Sequence, residues 1–457
     1  MARARLIELD WPEYGLAAEP PSWRQPLAVY RRRLAVVEET MAREGLTHLA
    51  VYGDREHFAN LAWLTGFDPR FEEALCFVRP GAKPILLAGN ECLGYLPASP
   101  PVAAGDVEVR RFPPFSLADQ PTEPAALLDG LDLDAHCKVG VAGWKTYGQP
   151  NSIDAPSYLV DELRFAAGYE NVVNAAHLFI DARNGLRTTA EPGEIAFFEW
   201  TNGLASEGMR RVIHAIQPGA LDYDLLEHAR YNGVPLACHM TLKCGANRVS
   251  LASARGERVT LGGRFSCGIS YWGSNICRCG WVAAGAQDLP PEAEGYLDNF
   301  AVPYFEAMAA WFGALRIGAP GDALHQAIHS RLPQETFHIF LNAGHLIHLD
   351  EWVCSPVWAG STVPLRSGMV IESDVIPSHP HYYSSRMEDG YVLADRALQD
   401  ELRKLHPGVL DRCLARREFL RTRLGLPLHD DVLPLSNVAG LVAPYLLSPH
   451  QVLSLAG

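Results

Sequence analysis

The spacing of apolar positions changes along this chain. Between Tyr30 and Arg43 they recur three and four apart (Leu34, Val37, Met41), which predicts a helix closed by Gly45. HLAVYG then reads as a short buried strand leading to Asp54, placed to cap a helix over REHFANLAWL. CFVRP, PILLAGNE and KVGVAGW (138–144) read as further strands and SYLVDELRF as a helix. Strands alternating with helices at this pitch predict an α/β domain over 1–183, with 1–25 as an arm of little regular structure.

The texture then changes. Glu191-Pro192-Gly193-Glu194 opens a long helix with Ile195, Phe198, Ala205, Met209, Val212, Ile213 and Ile216 on one face, and Gln217-Pro218-Gly219 stops it. A helix over Asp222–Tyr231 follows, then strand-like PLACHMTLKC, RFSCGISYW and NICRCGWVAA. A second long helix is predicted over Glu292–Leu315 with a kink at Pro303, and a shorter one over Asp322–Arg331. Helix pair, strands, helix pair, strands: 184–400 reads as a second domain of two related halves. Residues 401–457 read as a charged helical extension with an apolar tail, packed on that domain.

Three apolar runs of the second domain end in chemistry: NAGHLIHLDEW, SGMVIESD and SSRMEDG. His345, Glu372 and Glu388 sit at their ends. On strands packed side by side they would converge as a metal site or an acid–base centre. Two facing glutamates in a dry pocket would split their pKa values and supply an acid and a base. His345 would then shuttle a proton or hydrogen-bond the substrate carbonyl. Strand alternation puts His348 on the opposite face from His345. Arg386 either clamps an anionic substrate group or pairs internally with Glu388 or Asp389. His379 and His381, in PSHPHYYSS, lie on a loop over the expected pocket mouth, as substrate contacts or as solvated side chains.

Composition narrows the partners. The chain has 457 residues, 48% hydrophobic and 20% charged, with a formal charge of −14, which argues against nucleic acid or an anionic membrane as the main partner. MARARLIELDWPEYG lacks the apolar core of a secretory signal, and no run of eighteen apolar residues occurs. Ten scattered cysteines favour reduced thiols and a cytoplasmic location, and Cys277-Arg278-Cys279 lacks the spacing of a zinc or redox pair.

The order of these signals resembles the creatinase, prolidase and methionine-aminopeptidase group (peptidase M24), the pita-bread hydrolases. The Glu191–Ile195 helix start, Gln217-Pro218-Gly219, Gly344-His345, Gly368-Met369-Val370-Ile371-Glu372 and Arg386-Met387-Glu388-Asp389 are similar to the family's successive motifs. The segment from Phe58 to Phe67 is similar to the N-terminal domain of its two-domain members. The resemblance implies an α/β protein with an N-terminal RNase H-like creatinase domain and a C-terminal pita-bread domain, usually in a homodimer. In metal-dependent members two aspartates, a histidine and two glutamates hold two divalent ions. Carried over, these are His345, Glu372 and Glu388, while the aspartate positions read Ser266 and Asn275, with no carboxylate between Glu257 and Asp288.

Two close cations need more anionic ligands than remain, so a dinuclear centre is not expected. A single Mn, Zn or Fe ion on His345, Glu372 and Glu388, or none, is. Ser266–Gly273 resembles the hairpin of metal-free creatinase. However, that branch's histidine would fall in Asn247–Ser253, which has none, and its glutamate is Cys277 here. His239 is the nearest upstream histidine, either a substitute or a residue packed within a strand. Arg70, in the region that family members extend toward a partner's site, is an anion-binding or an ordinary surface arginine. The resemblance implies a hydrolase cleaving a C–N bond of a small amide, dipeptide or guanidino compound, metal-free or mononuclear. The alternatives are a metal-dependent Xaa-Pro aminopeptidase or dipeptidase, and a non-catalytic ligand-binding relative.

Overall fold

The computed structural model describes residues 3–117, 119, 121–245 and 251–456. The chain divides into two compact units, one of residues 22–188 and one combining 1–21 with 189–457. The strands in chain order begin with β1 (Arg5–Glu8), then β2 (His48–Gly53), β3 (Ala74–Val78), β4 (Ile85–Ala88), β5 (Glu108–Arg111), β6 (Val139–Ala142) and β7 (Val172–Asn174). They continue with β8 (Thr241–Lys243), β9 (Arg264–Ile269), β10 (Ile276–Trp281), β11 (His345–Leu346), β12 (Val370–Glu372), β13 (Arg386–Glu388), β14 (Gly390–Leu393), β15 (Val432–Pro434) and β16 (Gln451–Ser454).

Residues 22–188 form a six-stranded mixed sheet in the order β5-β4-β3-β2-β6-β7. Every residue of β2, β3, β4 and β6 is buried, as the continuous apolar runs require of strands covered on both faces. Tyr52, Phe77, Phe112, Phe115, Val141 and Leu163 belong to the core there. The Leu27–Glu44 helix stops at Gly45, whose φ of 67° is the left-handed cap that glycine supplies without strain. Asp54 does not cap the predicted helix. Its Oδ1 accepts the N–H groups of Glu56 and His57 in a turn of its own, and the helix spans only Ala59–Thr65.

The other unit corrects the expected boundaries. β1 pairs antiparallel with β16, so the start of the chain is a strand of this unit rather than an irregular arm of the first. Arg396–Leu405 and Pro407–Thr422 are helical, and the tail after them adds β15 to the edge of a sheet in the order β11-β12-β14-β15. A second four-stranded sheet runs β13-β10-β9-β8. The predicted helix over Glu292–Leu315 is instead a π-turn at Leu297–Ala301 followed by a helix over Val302–Ala314. Pro303 falls just after the junction of the two segments, and the lack of its N–H removes one bond from the continuous helical ladder there. PLACHMTLKC reduces to the three residues of β8, and the Asp222 helix ends at Glu227. The Pro192–His214 helix starts with the reciprocal Glu191–Glu194 capping box.

Among the described residues no helix is long and apolar enough to cross a membrane, and the ten cysteines are all free.

Candidate functional site

Two sheet registers bring the chemistry together. On β11 and β12, His345 stands directly opposite Glu372, and Glu372 stands opposite Gly390 on β14. On β10 and β13, Glu388 stands opposite Cys277 and Arg386 opposite Cys279. Gly344 turns the chain into β11 at φ +116°, and a Cβ there would sit 3.0 Å from the Glu372 carbonyl and 3.2 Å from the Trp311 ring. Glycine is therefore required to deliver His345. Gly390 leaves the space that Glu372 fills, since its Cβ would meet Glu372 Oε1 at 3.2 Å and Asn202 Oδ1 at 2.9 Å.

The ligand atoms that converge belong to His345, Asp374 and Glu388, all within 4.8 Å of one another and all buried. Asp374 thus stands where Glu372 was expected. It follows Glu372 by two residues, and its Oδ2 lies 3.9 Å from His345 Nε2. Glu372 is held aside with its Oε1 accepting the Asn275 backbone N–H at 3.3 Å. Glu351 is a second unanticipated member, with Oε1 3.4 Å from His345 Nε2.

Asn275 ties the cluster together by donating Nδ2 to Glu388 Oε1 at 2.7 Å and to Glu351 Oε1 at 3.3 Å. A carboxylate at this position would repel both oxygens, whereas an amide binds them. Buried atoms without a hydrogen bond include His345 Nε2, Glu372 Oε2, Asp374 Oδ1 and Arg386 Nε. Such concentration of unmet polar atoms is rare in an interior and calls for an occupant.

Burial sets the proton affinities. It pushes Glu388 up to about 8, with Asp374 adding to the rise while Arg386 pulls it back. Burial also raises Asp374, against the opposing pull of His345 and Arg386. Glu372 is pushed well above the carboxylate range by burial and then by Glu388. Burial alone would deprotonate His345, but Glu351 outweighs it, with Asp374 and Glu388 contributing, and the imidazole rises to about 9. For Glu351 the His345 contact overrides burial and lowers its pKa. The pocket thus holds an imidazolium–carboxylate pair beside two carboxyls close enough to share a proton.

An imidazole nitrogen and two carboxylate oxygens within one coordination sphere fit a single divalent ion. Among the described residues this is the one group of three metal-ligating side chains so arranged. The Asn275 amide donates into the cluster, and the Arg386 guanidinium, 3.8 Å from Glu388 Oε2, supplies a competing positive charge.

The remaining expected residues separate. Arg386 points its charge at Glu388, whereas Asp389 pairs instead with Arg278 at 2.7 Å. His348 is indeed directed away from the cluster, 3.2 Å from Glu194 and edge-on to Phe198. His379 lines a cavity of about 340 Å³ together with Arg386 and Ser266. Its Nδ1 accepts the N–H groups of His381 and Tyr382, which fixes the loop. His381 is exposed and outside that lining.

His239 is neither in the cluster nor packed in a strand. It is exposed just before β8, with Nε2 against the Leu251 carbonyl at 2.9 Å. Asn247 to Ser250 lie outside the described residues. Arg70 is half-exposed, 3.3 Å from the buried Asp68 and over the Tyr95 ring, with a left-handed φ of 58°. These contacts lie within its own unit.

Comparison with known proteins adds the fold. No protein-family model and no curated protein matches the chain. Among solved structures, the dipeptidase PepE of Mycobacterium ulcerans is similar at 20% identity and a TM-score of 0.60, over 81% of this chain and 95% of that one. The prolidase of Pyrococcus horikoshii OT3 is similar at 15% identity and a TM-score of 0.60, over 79% and 95%. The N-terminal domain of FACT complex subunit SPT16 from Cicer arietinum is similar at 14% identity and a TM-score of 0.57, over 80% and 93%. The chain therefore has the two-domain α/β, pita-bread fold of these proteins.

Proposed function

We propose that this protein is a hydrolase that cleaves a C–N bond of a small amide, dipeptide or guanidino compound, with acid–base chemistry from Asp374 and Glu388 and at most one divalent ion. The observation that carries this reading is the buried, under-bonded cluster of His345, Asp374 and Glu388, with Arg386 linking it to a cavity large enough for a small substrate. The dipeptidase and prolidase neighbours support it, as proteins of this fold named for cleaving such bonds.

In this mechanism the ionised member of the Asp374–Glu388 pair takes a proton from water as its oxygen attacks the carbonyl or amidine carbon. The carbonyl oxygen or amidine nitrogen that gains the electron pair is met by the His345 imidazolium, which Glu351 holds in place. The C–N bond then breaks, and the leaving nitrogen takes the proton held by the other carboxyl. Passage of the first proton across the pair restores the starting state. Glu372 is fully buried and its proton affinity is raised, which limits the negative charge in the pocket. A divalent ion, where bound by His345, Asp374 and Glu388, would polarise the scissile group and acidify the water. The SPT16 neighbour, named as a subunit of a complex, favours ligand binding without catalysis as the second reading.

The test is amine release from Xaa-Pro dipeptides, N-acyl amino acids and creatine-like amidines before and after exhaustive chelation, with elemental analysis of the same sample. Hydrolysis with no more than one ion per chain is expected. Two ions per chain with activity abolished by chelator would overturn the mechanism, and absence of hydrolysis on every class would favour the second reading.

A further inference from the structure

The Gly321–His329 helix carries two histidines, His325 and His329, that take no part in the cluster described above. Leu324, Ala327 and Ile328 turn inward and are buried, whereas both histidines are half-buried on the outer side. At about 3.6 residues per turn, the positions of Asp322, His325 and His329 span roughly 60° of the circumference. Helical side chains lean toward the N-terminus, so the His329 ring is laid back toward His325, and His325 toward Asp322.

The two rings meet, with centres 4.1 Å apart and planes 30° from parallel. Among the described residues no hydrogen bond occupies a ring nitrogen of either one. Burial lowers the proton affinity of His329, and the neighbouring His325 lowers it further. Two neutral imidazoles four residues apart on one helix face are the donor pair by which helices hold zinc. An ion about 2.0–2.1 Å from each nitrogen bridges nitrogens up to about 4 Å apart. Rings whose centres already stand 4.1 Å apart reach that span with small side-chain rotations. Asp322 supplies charge on the same face. Its Oδ1 accepts the Gly360 N–H at 2.8 Å and Gln326 Nε2 at 3.2 Å, and these bonds, with His325 contributing, hold its carboxyl below the ordinary value. The helix is nine residues long and starts after Pro320 without a side-chain cap, so its ends are weakly held. Its first turn nevertheless anchors a loop, since Gly321 N–H donates to the Val363 carbonyl at 2.9 Å and Asp322 N–H to Ser361 at 3.2 Å.

We propose that His325 and His329 together bind one divalent transition-metal ion of the kind imidazole favours, Zn(II), Ni(II) or Cu(II), with water completing its shell. The chelate clamps the last turn of the helix and so steadies the loop that its first turn holds. Asp322 offsets the charge of the ion from one turn away. This site shares no residue with the His345 cluster and does not depend on the hydrolase reading. With two protein ligands it empties on dialysis, so it adds nothing to the ion count of the dialysed protein.

The test uses the full chain with Asp374→Asn and Glu388→Gln together, which disables the other candidate ion site, after chelation and dialysis. Calorimetric titration with Ni(II) should show an event of one ion per chain, and Zn(II) should raise the Tm. His325→Ala and His329→Ala, each added to this parent, should abolish both responses. Both side chains are half-buried and alanine favours a helix, so these variants should fold. A readout that needs neither of them is the proton spectrum of the parent. One equivalent of paramagnetic Ni(II) should broaden the resonances of these two imidazoles ahead of the other histidines. Ni(II) binding that survives both alanine substitutions would overturn the proposal. So would sharp His325 and His329 resonances in the presence of bound Ni(II), or an ion that binds only at millimolar concentration or above.

Discussion

Two buried carboxylates in the larger unit sit in opposite situations. Glu199, on the Pro192–His214 helix, accepts Arg412 Nε at 2.8 Å and Arg416 Nη2 at 2.6 Å, and Arg416 in turn donates to Asn437. Glu388 is equally buried, but the Arg386 guanidinium stands 3.8 Å away, and Glu388 acts against the charges of Asp374 and Glu372. The first arrangement meets its charges with hydrogen bonds. The second leaves them strained against one another and surrounded by unpartnered atoms. A finished network holds a fold together, whereas an unfinished one stores a demand that a substrate, ion or proton transfer satisfies.

The largest expected effect separates the two on stability. Glu199→Ala strands two arginines in the interior and should cost about 3–5 kcal/mol, read as a fall in the denaturant midpoint. Glu388→Gln should leave stability equal or higher, because it removes a carboxyl that burial keeps from ionising freely. A comparable loss in both variants would erase the distinction.

A smaller effect concerns pH. The folded values of Glu388, about 8, and His345, about 9, both lie above their ordinary ones. The protons they hold thus favour the native state at low pH, and that contribution is lost as pH rises through 8 and then 9. Glu351, lowered by His345, works in the opposite sense between its folded and ordinary values, in the acid range. The ion-free protein should therefore unfold at progressively lower temperature from pH 6 to about 9. Glu388→Gln should flatten the first part of that decline. An unchanged slope in Glu388→Gln would remove Glu388 from the account.

Much of this site was legible in the chain. The runs ending in His345, Glu372 and Glu388 showed strand character, and each is carried on the strand expected of it. Asp374 was also within reach of the sequence, because a residue two beyond Glu372 shares its face on an extended segment. Glu351 was not. It returns to His345 because the chain folds back after β11, with Leu346 N–H bonded to the Cys354 carbonyl at 2.7 Å and Val353 N–H to Leu346 at 2.9 Å. Apolar periodicity does not encode such a reversal. The pairing of β1 with β16 was hidden for a related reason, since more than 400 residues separate Glu8 from Gln451 and nothing local in RLIE announces its partner. Asn275 drew attention in the sequence only as the residue where the resemblance implied an aspartate, and its work as a donor to Glu388 and Glu351 depends on how the strands fold together.

In the proposed mechanism Asp374 and Glu388 together perform the hydrolysis. The most direct measurement is the rate of amine release by Asp374→Asn and Glu388→Gln against the wild type, on whichever amide the wild type cleaves. Circular dichroism and thermal unfolding confirm that each variant is folded. The account predicts that either substitution lowers kcat by 10²–10⁴-fold, about the range of a positioned acid–base group, with the double variant little worse than either single one because the pair acts as a unit. Folded variants that keep wild-type rates would contradict it.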